Sequence, residues 1–141
     1  MDSNNLHKFP VVLAEAFSKY NLTFFEGTEW EYDPVKAYRM VLREKDDYSQ
    51  VTKDDFRSFA EAPRRGMEKL VKKPDYYGVS VFTEKEALVN KLKLPKPGKK
   101  IALGHLQDSY GPIYRNLPHI CLWCYKDVDF SSNDFIVGDY E

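Results

Sequence analysis

Cysteine is scarce in this sequence: the 141 residues contain two, Cys121 and Cys124. Two thiols in a chain of this length do not make the disulfide framework of a small secreted domain, and they are typical of a reducing compartment. The chain also lacks an apolar run of about 18 residues, the length that a membrane-spanning helix needs. Its opening residues, MDSNNLHKFP, lack the basic and apolar regions of a signal peptide. The sequence therefore predicts a cytoplasmic protein with no membrane partner.

Catalytic signatures are equally scarce. The chain contains no GxSxG, no Walker A loop, no GxGxxG, no HExxH and no EF-hand loop. Its neighbouring carboxylates, Asp46 with Asp47 and Asp54 with Asp55, fall in a loop and at a helix start, where solvation and the helix dipole explain them. These absences favour a binding or accessory domain over an enzyme, and they leave the question of catalysis open.

Neither sign of charge predominates, because 21 Lys and Arg stand against 22 Asp and Glu. This balance argues against nucleic acid as the partner. The basic residues are nevertheless concentrated in two segments, 64–73 and 91–100. The first segment supplies a candidate surface for an anionic ligand or an acidic protein partner, made of Arg64, Arg65, Lys69, Lys72 and Lys73. Alternatively, the two segments are a solvated helix face and a solvated turn that do not meet.

The composition predicts one globular domain over residues 1–141, with residues 1–7 frayed. Hydrophobic residues make up 43% of the chain and aromatic residues 15%, which is enough for a core without disulfides or a metal. The sequence has no internal repeat, low-complexity tract or linker-like segment. No feature of it predicts an oligomeric state.

Periodicity predicts an α+β fold with a mostly antiparallel sheet and three or four helices packed on it. The predicted helices span 10–20, 52–63 and 83–92. The predicted strands span 37–44, 76–82, 99–106, 119–126 and 134–138. In the first strand, Tyr38, Met40 and Leu42 would share one face, and Arg39 would lie on the other.

Both cysteines lie in the segment HICLWCYK, residues 119–126. A CxxC pair can bind zinc or act in redox chemistry when a tight turn brings the thiols together. This segment contains neither Gly nor Pro, and its β-branched and aromatic residues favour an extended chain. Residues three apart on a strand point to opposite faces. We therefore expect buried structural thiols and no metal, while a zinc site completed by His119, His105 and carboxylates, or a redox pair, stays open.

The same alternation places His119, Cys121, Trp123 and Tyr125 on one side of the strand. Aromatic surface with a few polar groups is typical of a small-molecule site, but the same residues could cover the sheet beneath a helix, with their polar atoms bonded locally. His105, on the strand over 99–106, allows the same two interpretations. The candidate ligand-binding residues are His105, His119, Trp123 and Tyr125.

One resemblance extends over about 70 residues. The order YRMVLR (38–43), DDFRSF (54–59), YYGVSVFTEKEALVNKL (76–92) and KKIALGHL (99–106) resembles that of small ADP-ribosyltransferase-like domains. The resemblance implies NAD as cofactor. It also implies that Arg39 contacts NAD from an early strand, that Ser58 or Ser80 is the family's serine, and that Tyr77 and Phe82 stack on nicotinamide.

The chain departs from that family at its late glutamate, which orients the ribose. The C-terminal strands offer Asp127, Asp129 and Asp134, and the only glutamate there is the terminal Glu141. Two hypotheses follow. The first is a non-catalytic binding domain without a cofactor; the alternative is an NAD-using transferase or glycohydrolase with Arg39, Ser80 and Tyr77 as catalytic candidates.

Overall fold

A single six-stranded antiparallel sheet forms the centre of the fold. The computed structural model describes residues 3–62, 66 and 68–139. The strands are β1 (Val35–Leu42), β2 (Val79–Phe82), β3 (Lys99–Leu106), β4 (Ile113–Asn116), β5 (His119–Leu122) and β6 (Ile136–Gly138). They lie in the order β4-β5-β2-β1-β3-β6, and every neighbouring pair is antiparallel. The predicted α+β class with a mostly antiparallel sheet is confirmed.

The prediction of three or four packed helices is wrong. The described residues contain two α-helices, α1 (Val11–Lys19) and α2 (Lys85–Leu92), and the remaining helical pieces are short 3-10 turns at Ser3–Lys8, Lys53–Phe56, Glu68–Leu70 and Pro74–Tyr77. Neither α-helix is long enough to cross a membrane, and no other described helix is. In the predicted helix over 52–63, Asp55 does accept a hydrogen bond from the Thr52 amide at 2.9 Å. The backbone is already extended at Arg57, so this helix ends after one turn.

The two faces of the sheet are covered by different parts of the chain. Side chains alternate between the faces along each strand, and we call the face that contacts α1 and α2 the helix face. It carries Tyr38 and Met40 of β1, as the alternation predicted. The opposite face, which we call the loop face, is covered by the Lys53–Phe56 turn and by the chain that follows β5. Both faces are therefore largely buried.

The loop face holds the larger core. Ala37, Val81 and Ile120 from the sheet are fully buried there. Phe56 stacks on Phe130 above them, with ring centroids 5.0 Å apart. This packing fixes the Lys53–Phe56 turn against the sheet.

The helix face is covered in two separate patches. In the first, α1 packs Leu13 and Phe17 against Trp123 and other aromatic side chains, and we call this the α1 cluster. In the second, Leu88 of α2 packs on Phe82 and other residues of the central strands. The part of the helix face between these patches is not covered by either helix, and it contains the candidate site.

The two cysteines point into different cores. Cys121 lies in the α1 cluster and Cys124 in the core of the loop face, and both are buried free thiols. This separation agrees with the predicted opposite orientation, although β5 itself ends at Leu122. Burial raises the pKa of Cys121, and it raises the pKa of Cys124 to about 12. Both thiols are therefore protonated at neutral pH, the unreactive form.

Candidate ligand-binding site

A gap between β1 and β2 creates the site. The two strands pair only where Tyr38 lies opposite Phe82. Arg39 then donates a hydrogen bond from Nη1 to the carbonyl oxygen of Ser80 at 2.7 Å, in place of a main-chain bond from β1. Its Nε donates to the carbonyl oxygen of Asp55 at 3.0 Å. The Arg39 side chain therefore fills the gap and joins β2 to the Lys53–Phe56 turn.

A cavity of about 520 Å³ lies over this gap on the helix face, and we call it the Ser80 groove. Its lining residues are Arg39, Met40, Phe59, Ser80, Phe82, Leu88, Lys91, Leu92, Pro118 and His119. Most of these side chains are apolar. A volume of about 300 to 1,000 Å³ and a mostly apolar wall with a few polar groups are typical of small-molecule sites.

Ser80 and His119 meet at the polar part of the groove. The distance between Ser80 Oγ and His119 Nε2 is 2.6 Å, which is a short hydrogen bond. The two residues are brought together because β2 and β5 are paired neighbours. The Phe82 ring contacts the imidazole edge-on, with centroids 5.3 Å apart. Ser80 is partly buried and so is His119, so the pair is accessible from the groove.

The surroundings of His119 keep its ring neutral. Desolvation by burial lowers the pKa of His119, the Asp75 carboxylate raises it, the Lys91 ammonium lowers it further, and the net shift is downward. Because the ordinary value is already about 6.5, the imidazole is uncharged at pH 7. A neutral ring can either accept a proton from Ser80 or donate one to it, depending on its tautomer.

The charge in the groove is positive. Among the described residues that line it, Arg39 and Lys91 are cationic and none carries a carboxylate. A neighbouring cavity of about 330 Å³ shares Arg39, Met40 and Phe59 with the groove, and it does contain acids. Those acids are paired, since Asp55 binds Arg43 at 2.7 Å and Asp54 binds Arg57 at the same distance. An anion in the groove would therefore meet the positive charges of Lys91 and of Arg39, although Arg39 also lies near enough to Asp55 to lower the pKa of that carboxyl.

A second neighbouring cavity extends the site on the other side of His119. It has a volume of about 440 Å³, and its lining includes the carboxylates of Glu26 and Asp75 together with Tyr114, Asn116 and His119. The imidazole thus lies between an apolar groove with a cationic margin and a more polar cavity with two carboxylates.

Several residues predicted from the sequence come together in this groove. Arg39, Ser80 and His119 were separate candidates, and all three line it, together with Phe82. Phe59 also lines the groove and was not among the predicted site residues, because a helix over 52–63 would place it on the same inward face as Phe56. Its side chain is 38% exposed, since the helix ends before it.

Other predicted site residues lie elsewhere. The Tyr77 hydroxyl donates to the carbonyl oxygen of Val71 at 2.6 Å within the α1 cluster. Trp123 is fully buried there, and its Nε1 donates to the carbonyl oxygen of Pro74 at 3.0 Å.

Tyr125 and His105 are also remote from the groove. Tyr125 lines a different shallow cavity beside His7 and Lys8. His105 is exposed on β3, and its Nδ1 lies 2.7 Å from a carboxylate oxygen of Asp134.

The basic segments make only a partial contribution to the site. Lys69, Lys72 and Lys73 are exposed and do not line the groove. The predicted positions Arg64 and Arg65 lie outside the described residues. From the second segment, Lys91 lines the groove, because it follows Leu88 on α2 by three residues and so faces the same side.

The described residues hold no group of three or more His, Cys, Asp or Glu side chains placed to bind a metal ion. Comparison with protein-family models, with curated proteins and with solved structures finds no match for this chain.

Proposed function

We propose that this protein binds a small amphipathic anion, such as a medium-chain carboxylate, in the Ser80 groove. The observation that carries the proposal is the combination in one cavity of an apolar wall, the Ser80–His119 pair and two cationic side chains. Phe82, Leu88 and the other apolar residues would contact the hydrocarbon part of the ligand.

The polar end of the ligand has defined donors. With the proton of the neutral imidazole on Nε2, His119 donates to Ser80 Oγ, and the Ser80 hydroxyl is then directed to donate to a carboxylate. Lys91 supplies charge at the exposed margin of the groove. Since Lys91 is exposed, its attraction for a carboxylate is worth about 0.2 to 1 kcal/mol, which corresponds to an affinity change of up to about fivefold.

Calorimetric titration with octanoate tests the proposal, and octanamide is the uncharged control. We expect saturable binding of octanoate and weaker binding of octanamide. Lys91→Gln should weaken octanoate binding about two- to fivefold, whereas Lys19→Gln, on the exposed side of α1, should leave it unchanged. Equal binding of the acid and the amide, or no saturable binding, would show that the groove does not serve this purpose.

The NAD-using alternative remains a second proposal, because Arg39 and Ser80 line one groove as the resemblance implies. It also requires a carboxylate beside them, and Tyr77 on the nicotinamide. Incubation with NAD labelled in the nicotinamide ring tests it: release of labelled nicotinamide by the wild type and not by Ser80→Ala would support an NAD-using enzyme. Absence of both release and label transfer would count against it.

A further inference from the structure

We infer that Ser80 and His119 form a nucleophile and general-base pair that cleaves a carboxylic ester bound in the Ser80 groove. This inference rests on the proposed function, because the acid released would be the amphipathic anion that the groove is proposed to bind. The ester class follows from the site: a hydroxyl nucleophile, a neutral base and an apolar wall for an acyl chain.

The geometry is that of an activated serine. Ser80 Oγ and His119 Nε2 are 2.6 Å apart, within the distance at which a histidine accepts the proton of a serine nucleophile. Both residues belong to strands rather than mobile loops. Ser80 lies opposite Cys121 in the β2–β5 ladder, and its carbonyl oxygen is held by Arg39. The pair is therefore positioned before a substrate binds.

The charges around the pair suit both stages of the reaction. Burial keeps His119 neutral, which is the form that accepts a proton. Once the ring is protonated, the Asp75 carboxylate stabilises the imidazolium, because its charge favours the protonated form. Lys91 also lines the groove, and its positive charge favours the oxyanion that develops on the substrate.

The reaction then proceeds in two balanced steps. The reaction uses the tautomer of His119 that has its proton on Nδ1, which leaves Nε2 free to accept. Ser80 Oγ bonds to the ester carbonyl carbon while its proton moves to His119 Nε2, and the bond to the alcohol oxygen breaks as His119 returns that proton to the leaving alcohol. The oxygen of a water molecule then bonds to the acyl carbon while its proton moves to His119 Nε2, and the bond from that carbon to Ser80 Oγ breaks as His119 returns the proton to Ser80 Oγ. The products are the free Ser80 hydroxyl and the carboxylic acid, which ionises at neutral pH.

Hydrolysis of p-nitrophenyl octanoate at pH 7.5, followed by p-nitrophenolate absorbance, tests the inference. Ser80→Ala and His119→Gln should each lower the rate by about 10²-fold or more. Ser18→Ala, on the exposed side of α1, should match the wild type. The wild-type rate should rise with pH through a midpoint below 6.5, the ordinary histidine value. Equal rates in wild type and Ser80→Ala would overturn the inference.

Covalent labelling gives a second readout. An alkyl fluorophosphonate should add one phosphonyl group to the wild type, located on Ser80 by peptide mass mapping, and none to Ser80→Ala. Modification of another residue, or no modification at all, would contradict the assignment of Ser80 as the nucleophile. Octanoate binding separates this failure from failure of the proposed function: binding without labelling or turnover would leave the groove as a binding site only, and absence of octanoate binding would remove the proposed function itself.

Discussion

Replacement of Arg39 by methionine tests how the site is held together. The guanidinium donates to the carbonyl oxygens of Ser80 at 2.7 Å and Asp55 at 3.0 Å, and a third contact, to Arg57, is long at 3.4 Å. Methionine keeps much of the aliphatic volume and removes every donor. Both short bonds would be lost, and β2 would lose its connection to the Lys53–Phe56 turn.

The magnitude follows from these two bonds. A hydrogen bond from a charged donor contributes about 1.5 to 3 kcal/mol to stability, and Arg39 is only partly buried, so we take the lower end for each. The expected loss is about 3 kcal/mol, a large fraction of the 5 to 15 kcal/mol that is typical of a domain. The midpoint of thermal unfolding should fall by roughly 10 °C.

Arg57→Met is the matched control. Arg57 makes an exposed ion pair with Asp54 at 2.7 Å, and exposed pairs contribute about 0 to 1 kcal/mol. Urea unfolding followed by circular dichroism measures both variants. If Arg39→Met costs no more than Arg57→Met, Arg39 does not connect the strands as described. A loss of octanoate binding that exceeds the loss of folded protein would show that Arg39 also contacts the ligand.

The remaining predictions concern ionisation, thiol reactivity and backbone packing. Burial disfavours the charged form of Asp55, but hydrogen bonds from Arg43 and a main-chain amide outweigh this effect and lower the pKa of Asp55. Urea titrations should therefore show a contribution to stability that is present above about pH 4 and is lost as the pH falls through the lower pKa of the folded state. Asp55→Asn should be less stable than the wild type at pH 7 and should lack this part of the pH dependence. Both cysteines are buried and free. An aromatic disulfide reagent should therefore react with two thiols immediately in denaturant and only slowly in native buffer. A rapid reaction in native buffer would contradict the burial of the thiols. Gly111 has φ of 145°, and a Cβ at this position would overlap the Trp123 carbonyl oxygen. Gly111→Ala should therefore unfold at a much lower temperature than the wild type. Gly138→Ala is the control, because a Cβ at Gly138 would enter open space, and it should unfold near the wild-type temperature.

The sequence predicted five of the six strands and missed β4, and its bounds were correct for one strand only. The prediction for β1 was two residues too late at both ends, and those for β2 and β5 were too long. Residues 99–106 form β3 with the predicted bounds. Helix α2 is also present, but it begins at Lys85, two residues after the predicted start at Thr83. Thr83 does not begin the helix. Its amide donates to the carbonyl oxygen of Pro118 at 2.9 Å, because Thr83 follows the last residue of β2 and Pro118 precedes the first residue of β5, where the two strands pair. Tertiary pairing thus moves the start of α2 later than the sequence pattern predicted.

The site was only partly predictable, because it depends on which strands are neighbours. Ser80 and His119 are 39 residues apart, and no local pattern indicates that β2 and β5 pair. The role of Arg39 as a bridge depends on a gap in the sheet that alternation cannot reveal. The alternation of side chains predicted that one side of the strand carries His119, Cys121, Trp123 and Tyr125. Cys121 and Trp123 are buried in the α1 cluster, however, and His119 alone of the four lines the groove.

The most direct test of the proposed site is a titration with octanoate monitored by the imidazole signals in a ¹H–¹³C NMR spectrum. The chain has three histidines, so His7 and His105 serve as internal controls for His119. If the Ser80 groove binds the ligand, the His119 ring signals should shift saturably, those of the other two should stay in place, and octanamide should have a weaker effect. Shifts at His7 or His105 without a shift at His119, or no saturable shift at all, would contradict the proposed site.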